Sequence, residues 1–322
     1  MRNHLGWTAA AHARRGRVVL LAATAWWALA IAWTGGAASA SEATNGLILF
    51  SAFPAGNAGS QLYTVDPASG TVVDVSGDSV GDDQGRFSPD GRSIAFRHGN
   101  EIWTMKANGS ARKAITHIAG GASWPAWSPD GKELTFAAVA DGQTGADIWT
   151  ASASDGSAPL QLTRHHAEDQ PTWSPDGKWI AYASNRGGSD DIFRIPSDGS
   201  ASGTNLTRSS YQDIQPAWSP DSTRILFTSN RPHSGAIGID LFTMSATGGA
   251  PTELDHTTAY GDGQNGAYAP DGTTIAFSAN NGTGGLQVWT VPAGGGANSQ
   301  LTHLPGNPGV NSIDWQHKPS PK

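Results

Sequence analysis

Five times along the chain an aromatic residue is followed by Ser/Ala-Pro-Asp and then a short apolar run: Phe87 in FSPDGRSIAF, Trp127 in WSPDGKELTF, Trp173 in WSPDGKWIAY, Trp218 in WSPDSTRILF and Tyr268 in YAPDGTTIAF. Successive aromatics stand 40, 46, 45 and 50 residues apart, which is the period of a propeller blade. Each unit continues in the same order. A Gly/Asn-rich loop leads to a second aromatic strand (Ile102-Trp103, Ile148-Trp149, Ile192-Phe193, Leu241-Phe242, Val288-Trp289), then a turn such as SDGS or ANGS, then a short strand ending in Leu-Thr, as at Leu162-Thr163, Leu206-Thr207 and Leu301-Thr302. That is four strands per unit, joined by tight turns. In Ser-Pro-Asp-Gly, Pro presets φ, Asp bonds nearby backbone and Gly accepts the positive φ that re-enters the next strand.

The ends of the array define its closure. Residues 46–77 hold an incomplete unit, with strands at Leu47–Phe50, Leu62–Thr64 and Val72–Val75 but no first strand. Ser312–Trp315 supply that strand, 47 residues beyond Tyr268. The pattern therefore predicts an all-β, six-bladed β-propeller of four-stranded antiparallel blades, closed by a C-terminal strand that pairs with the N-terminal blade. Residues 41–317 form this one domain and 318–322 a short tail. The 41 glycines and 19 prolines of the 322 residues belong largely to the repeated turns.

Ahead of the array, Arg14, Arg15 and Arg17 precede an apolar run of 16 residues, Val18 to Trp33, and a small-residue stretch ending in Ala38-Ser39-Ala40. This is the order of a secretory signal peptide, and the run is short of the ~20 residues of a membrane-spanning helix. Residues 1–40 are therefore read as a signal peptide cleaved before Ser41, with an uncleaved anchor as the alternative. Export to the periplasm or the exterior follows, with no membrane span after cleavage. Removal of residues 1–40 takes away four arginines and no acids, so the remaining 282 residues carry −11 rather than −7. An acidic chain lacks the basic face of a nucleic-acid binder. With no cysteine, neither a disulfide nor a lipid on an N-terminal Cys is available.

These units resemble the PD40, or TolB-like, β-propeller repeat, of roughly P-x-W-S-P-D-G-[KR]-x-[IL]-[AT]-F followed by S-x-R-x-G-x-x-D-I-[WFY] and x-L-T. PTWSPDGKWIAYASNRGGSDDIF, from Pro171 to Phe193, carries the pattern most fully. The resemblance covers nearly all of 45–317. It implies the propeller fold and a role in binding protein partners in the cell envelope. The separate α/β domain of TolB has no counterpart between Ser41 and the first strand, so a role outside the Tol-type assembly is expected. The resemblance extends to oligogalacturonate-lyase-like propellers, which place His and Gln around a divalent metal in the channel. His166 and Gln170 are the nearest equivalents in kind.

Three residues before four of the first-strand aromatics stand Gln84, Gln170, Gln215 and Asn265, with Asp82, Asp83, Glu168, Asp169, Asp213 and Asp262 close by. The first strand is innermost in this fold, so these side chains converge on one channel mouth. Two readings follow: polar caps that satisfy loop backbone, or a rim that binds a protein or envelope polysaccharide. No cofactor is required, although amides and carboxylates together could ligate a hard cation such as calcium. His117, His165, His166, His256 and His303 each follow the last strand of a unit. Spread around the rim, they are too far apart to share one metal ion, except His165 and His166, nearer the mouth. Arg186 and Arg231 follow Asn in equivalent loops, where pairing with Asp191 and Asp240 of the same blade is expected. GDGQNG at 261–266 lies between strands with no helix to cradle a phosphate. The leading reading is a non-catalytic binding propeller. The alternative is a metal-assisted lyase or hydrolase acting on a sugar polymer.

Overall fold

The computed structural model describes residues 44–53, 59–77, 81–232, 238–254, 263–282, 285–306 and 308–318. The signal-peptide and anchor readings of 1–40, and the candidates Asp262 and His256, lie outside these residues. The described residues form six four-stranded antiparallel sheets. Strands β1 (Thr44–Ala52), β2 (Gln61–Val65) and β3 (Val72–Asp74) belong to the first blade. Each of the next five blades is contiguous. The second holds β4–β7 (Asp82–Phe87, Ser93–His98, Glu101–Lys106, Lys113–Ala114) and the third β8–β11 (Ala122–Trp127, Glu133–Ala138, Asp147–Ser152, Leu160–Gln161). The fourth holds β12–β15 (Glu168–Trp173, Trp179–Ser184, Asp191–Pro196, Thr204–Asn205) and the fifth β16–β19 (Asp213–Trp218, Arg224–Ser229, Asp240–Ser245, Thr252–Glu253). The sixth holds β20–β23 (Gln264–Tyr268, Thr274–Asn280, Leu286–Pro292, Ser299–Gln300). Strand β24 (Ile313–Lys318) returns to β1, setting Trp315 opposite Ile48 and Ile313 opposite Phe50. The predicted closure is thus the observed one. No helix among the described residues is long and apolar enough to cross a membrane.

A blade is apolar on both faces, and only its neighbours can cover it. The buried side chains accordingly sort into six cores, each lying between two adjacent blades. Phe96 packs with Leu49 and Leu62 across the first interface, and Trp315 and Ile313 with Ala276 and Val288 across the last. The inner strands β4, β8, β12, β16, β20 and β24 contact one another in sequence and enclose a central channel.

The repeated polar residues do local work. In the first turn Ser88 Oγ donates to Asp90 (2.6 Å), the Ser93 N–H donates to Ser88 Oγ (2.9 Å) and the Gly91 N–H to the Ser88 carbonyl (2.8 Å). The same set recurs at Ser128, Ser174 and Ser219. At Asp130 the bond from Ser128, with the Lys132 N–H, holds the carboxyl at about 2. Gly91 has φ of 68°, and a Cβ there would meet the His317 carbonyl at 2.2 Å, so that turn demands glycine. The Leu-Thr ending has an equally specific cause. The threonine hydroxyl accepts an N–H near the start of the third strand, as in Ile148 to Thr163 (2.9 Å) and Val288 to Thr302 (2.9 Å). It also donates to the acid or amide one residue earlier, as in Thr207 to Asp191 (2.8 Å) and Thr302 to Gln287 (2.8 Å).

Candidate functional site

Each of five inner strands carries a bulge whose first residue adopts positive φ: Gln84 (55°), Trp124 (53°), Gln170 (55°), Gln215 (57°) and Asn265 (55°). The bulge aims the side chains of Gln84, Gln170 and Gln215 at the next blade. Gln84 Oε1 accepts the Trp124 N–H (2.7 Å), Gln170 Oε1 the Gln215 N–H (2.7 Å) and Gln215 Oε1 the Asn265 N–H (3.0 Å), while Gln215 Nε2 donates to Asn265 Oδ1 (2.6 Å). The amides of the sequence pattern therefore form a girdle between blades: Gln84, Gln170 and Gln215 each satisfy a backbone donor in the bulge of the next blade, and Asn265 takes the side-chain amide of Gln215. Trp124 interrupts the girdle. It offers no side-chain acceptor to the fourth blade, and Asp169 Oδ1 takes the Gln170 N–H instead (2.9 Å).

The acids divide into two groups. Those opening an inner strand are fully buried and held within their own blade. Asp82 accepts from Arg112 (2.7 Å) and pairs with His98 (2.7 Å), and Glu168 lies 3.7 Å from Arg186. Asp213 takes Arg231 (2.6 Å), Ser229 (2.5 Å) and Ser209 (2.8 Å). The expected partner of Arg186, Asp191, is instead engaged by Asn205, Thr207 and the Ser209 N–H. Arg186 turns inward, over the Phe193 ring at 3.9 Å and to Glu168. Arg231 bonds Asp213 and sits 5.0 Å from the Phe242 ring.

Asp83 and Asp169, the second residues of their strands, stand at the mouth around Arg97. Asp83 Oδ1 is 3.4 Å from Arg97 Nε, and neither atom makes a hydrogen bond. Burial pushes both carboxyls up to about 6, against the pull of Arg97; Asp82 adds to the rise at Asp83 and Asp190 to that at Asp169. The unfolded carboxyls titrate near ~4. The folded state thus binds these protons more tightly, and the resulting stabilisation is complete below ~4 and lost as pH rises through about 6. Asp169→Asn keeps an acceptor for the Gln170 N–H and removes the charge. Its melting temperature is expected to exceed the parent's at about pH 7.5, with the gap closing toward about pH 4. A gap independent of pH would show that this carboxyl is not shifted.

The described histidines do not converge. His166 Nδ1 lies 2.8 Å from Asp147 Oδ2 at the junction of the third and fourth blades, and His303 pairs with Gln300 (3.1 Å). Among the described residues no three His, Asp or Glu side chains are grouped to hold a metal ion.

Below the girdle the channel widens into a cavity of about 380 Å³. Gln170, Gln215, Asn265 and Trp124 line its inner end, and Pro89, Pro129, Pro175, Pro220 and Pro270 of the first turns line its rim. Between them stand the half-buried Trp127 and Trp173, with Arg86 from β4 and Asp314 from β24. Trp127 Nε1 donates to the Arg86 carbonyl (3.1 Å), Trp218 to Thr172 (3.2 Å) and Trp315 to Ala267 (3.1 Å), so the indoles also tie blade to blade. The Trp173 N–H is buried without a partner. Of the nine sequence candidates, Gln170, Gln215 and Asn265 thus reach the cavity. Asp83, Gln84, Glu168, Asp169 and Asp213 lie at or behind the girdle, and Asp262 is outside the described residues. Trp124, Arg86 and Asp314 escaped the sequence reading. Their signal was in the alignment of the units: Trp124 occupies the amide column, and Arg86 and Asp314 are the only charges in the column before the aromatic.

Residues 86–213 match the TolB beta propeller domain family, PD40. The structure of TolB from Acinetobacter baumannii superposes with a TM-score of 0.71 at 20% identity, covering 84% of this chain and 66% of that one. A putative TolB from Agrobacterium tumefaciens gives 0.66 at 18% identity, over 84% and 99%. These identities establish the shared fold. In sequence, an uncharacterized peptidase of Bacillus subtilis, YuxL, is 37% identical over 65 residues, which is 18% of this chain and 10% of that protein. The chain is therefore a six-bladed β-propeller whose residues 86–213 match the PD40 repeat of the TolB beta propeller domain.

Proposed function

We propose that this protein is an exported binding propeller that holds a protein or cell-envelope polymer at the mouth of its central channel, without a covalent step. The observation that carries the reading is the cavity. All six inner strands contribute to it, and it combines apolar and aromatic walls with a few fixed polar groups, the usual make-up of a ligand pocket. The inter-blade girdle and the indole bonds fix those walls, so little ordering cost attends binding. His166, the nearest equivalent of a lyase's metal-binding histidine, pairs with Asp147 at the junction of the third and fourth blades and is not among the residues lining the cavity.

The test uses the immobilised mature protein and an envelope extract. Thr172 is half-buried and lines the cavity, so Thr172→Trp plugs the channel from one wall. A component retained by the parent and released by the plugged variant is the expected result. Equal retention by both would remove the channel from the reading, and no retention beyond a protein-free control would end it. Export is read from the same preparation by an N-terminus at Ser41.

A further inference from the structure

Arg86 and Asp314 occupy the column that reads Ala126, Thr172, Ala217 and Ala267 in the other blades. They lie on adjacent inner strands, in contact where the ring closes. Arg86 Nη1 donates to the Gly85 carbonyl (2.9 Å), and Asp314 Oδ2 accepts the Phe87 N–H (2.7 Å). Neither bonds the other, so guanidinium N–H groups and one carboxylate oxygen are left facing the channel. Burial pushes the arginine down and the aspartate up, and each is held back by the opposite charge of its neighbour. Both side chains are half-buried and line the channel cavity, so a ligand in the channel can reach the two together.

The bridging group must accept from Arg86 and donate to Asp314. It must also be uncharged, because the pair already sums to zero. Carboxamides and hydroxyl pairs both qualify. The walls decide between them. Trp127, tied to the Arg86 carbonyl, and Trp173 leave half-buried rings along the same cavity, and a sugar ring, which presents a face of C–H groups to an indole, covers such rings more fully than a slender amide side chain. Resting on the reading of the channel as a binding site, we infer that it holds a neutral glycan, one sugar ring lying against Trp127 and Trp173 with two adjacent hydroxyls bridging Arg86 and Asp314. Polyanionic sugars gain nothing from a balanced pair and meet Asp83 and Asp169 at the far mouth.

Isothermal titration of the mature protein with maltotetraose, cellotetraose, chitotetraose and tetragalacturonate tests this. At least one neutral tetrasaccharide is expected to saturate a single site, and tetragalacturonate to bind more weakly. Arg86→Met and Asp314→Asn are each expected to weaken binding by roughly tenfold or more, the scale of one hydrogen bond to a charged group. Asp314→Asn retains an acceptor for the Phe87 N–H, so it reads the site even if Arg86→Met fails to fold; melting curves separate the two cases. Absence of binding by every neutral tetrasaccharide, tighter binding of tetragalacturonate, or unchanged affinity in Asp314→Asn would each overturn the inference. A parent that ignores saccharides yet loses its envelope component in Thr172→Trp would remove the glycan and leave channel binding standing.

Discussion

Truncation before Ser312 is expected to abolish the cooperative unfolding transition seen by circular dichroism or calorimetry. The reasoning is one of magnitudes. The cut deletes Ile313 and Trp315, 3% and 4% exposed, from the core that joins the last blade to the first. Losing a buried Ile or Trp costs about 2–5 and 3–5 kcal/mol respectively, and domains are stable by only about 5–15 kcal/mol. The cut also strips β1 of its partner strand and removes the bonds that cross the closure: Trp315 Nε1 to Ala267, Gln316 Nε2 to Gly91, the Phe87 N–H to Asp314 and Ser51 to Ser312. An exposed edge and an open core then coincide at one place. Trp315→Ala is the graded control. It should cost about 3–5 kcal/mol while leaving a single transition. A truncated protein that melts cooperatively near the parent's temperature would show that the ring does not depend on its closing strand.

How much of this was legible beforehand differs between scaffold and site. Blade number, strand order and closure followed from a pattern repeated along the chain, because each blade must solve the same burial problem and does so with the same residues in the same places. Even the Leu-Thr ending, visible as a string, proves to be one hydroxyl serving two partners. The polar column was visible too, but its purpose was not. Gln84, Gln170 and Gln215 point across to the next blade because a bulge turns each of them to positive φ, and nothing in a single unit discloses that turn. Trp124, Arg86 and Asp314 were hidden for the opposite reason. They are departures from the repeat, and a reading that gathers what recurs passes over what does not. In a fold built from copies, ligand-specific residues belong among the exceptions.

Asp213 makes the same distinction by experiment, since the sequence places it beside Gln215 as a ligand candidate while the structure buries it against Arg231. Asp213→Ala is expected to destabilise the fold by about 3–5 kcal/mol, the scale for breaking a buried ion pair from one side. Arg231 is only 14% exposed and would be left charged among Phe227, Phe242 and Tyr211. Ser229 and Ser209 would lose their acceptor as well. Removing both charges leaves no arginine deprived of this carboxylate, so Asp213→Leu combined with Arg231→Met should cost less than Asp213→Ala alone. Chemical denaturation of the two variants and the parent measures this order directly. The reverse order, or a stable Asp213→Ala that has lost a channel ligand, would return Asp213 to the binding site and show that the paired arginine is no more than its resting partner.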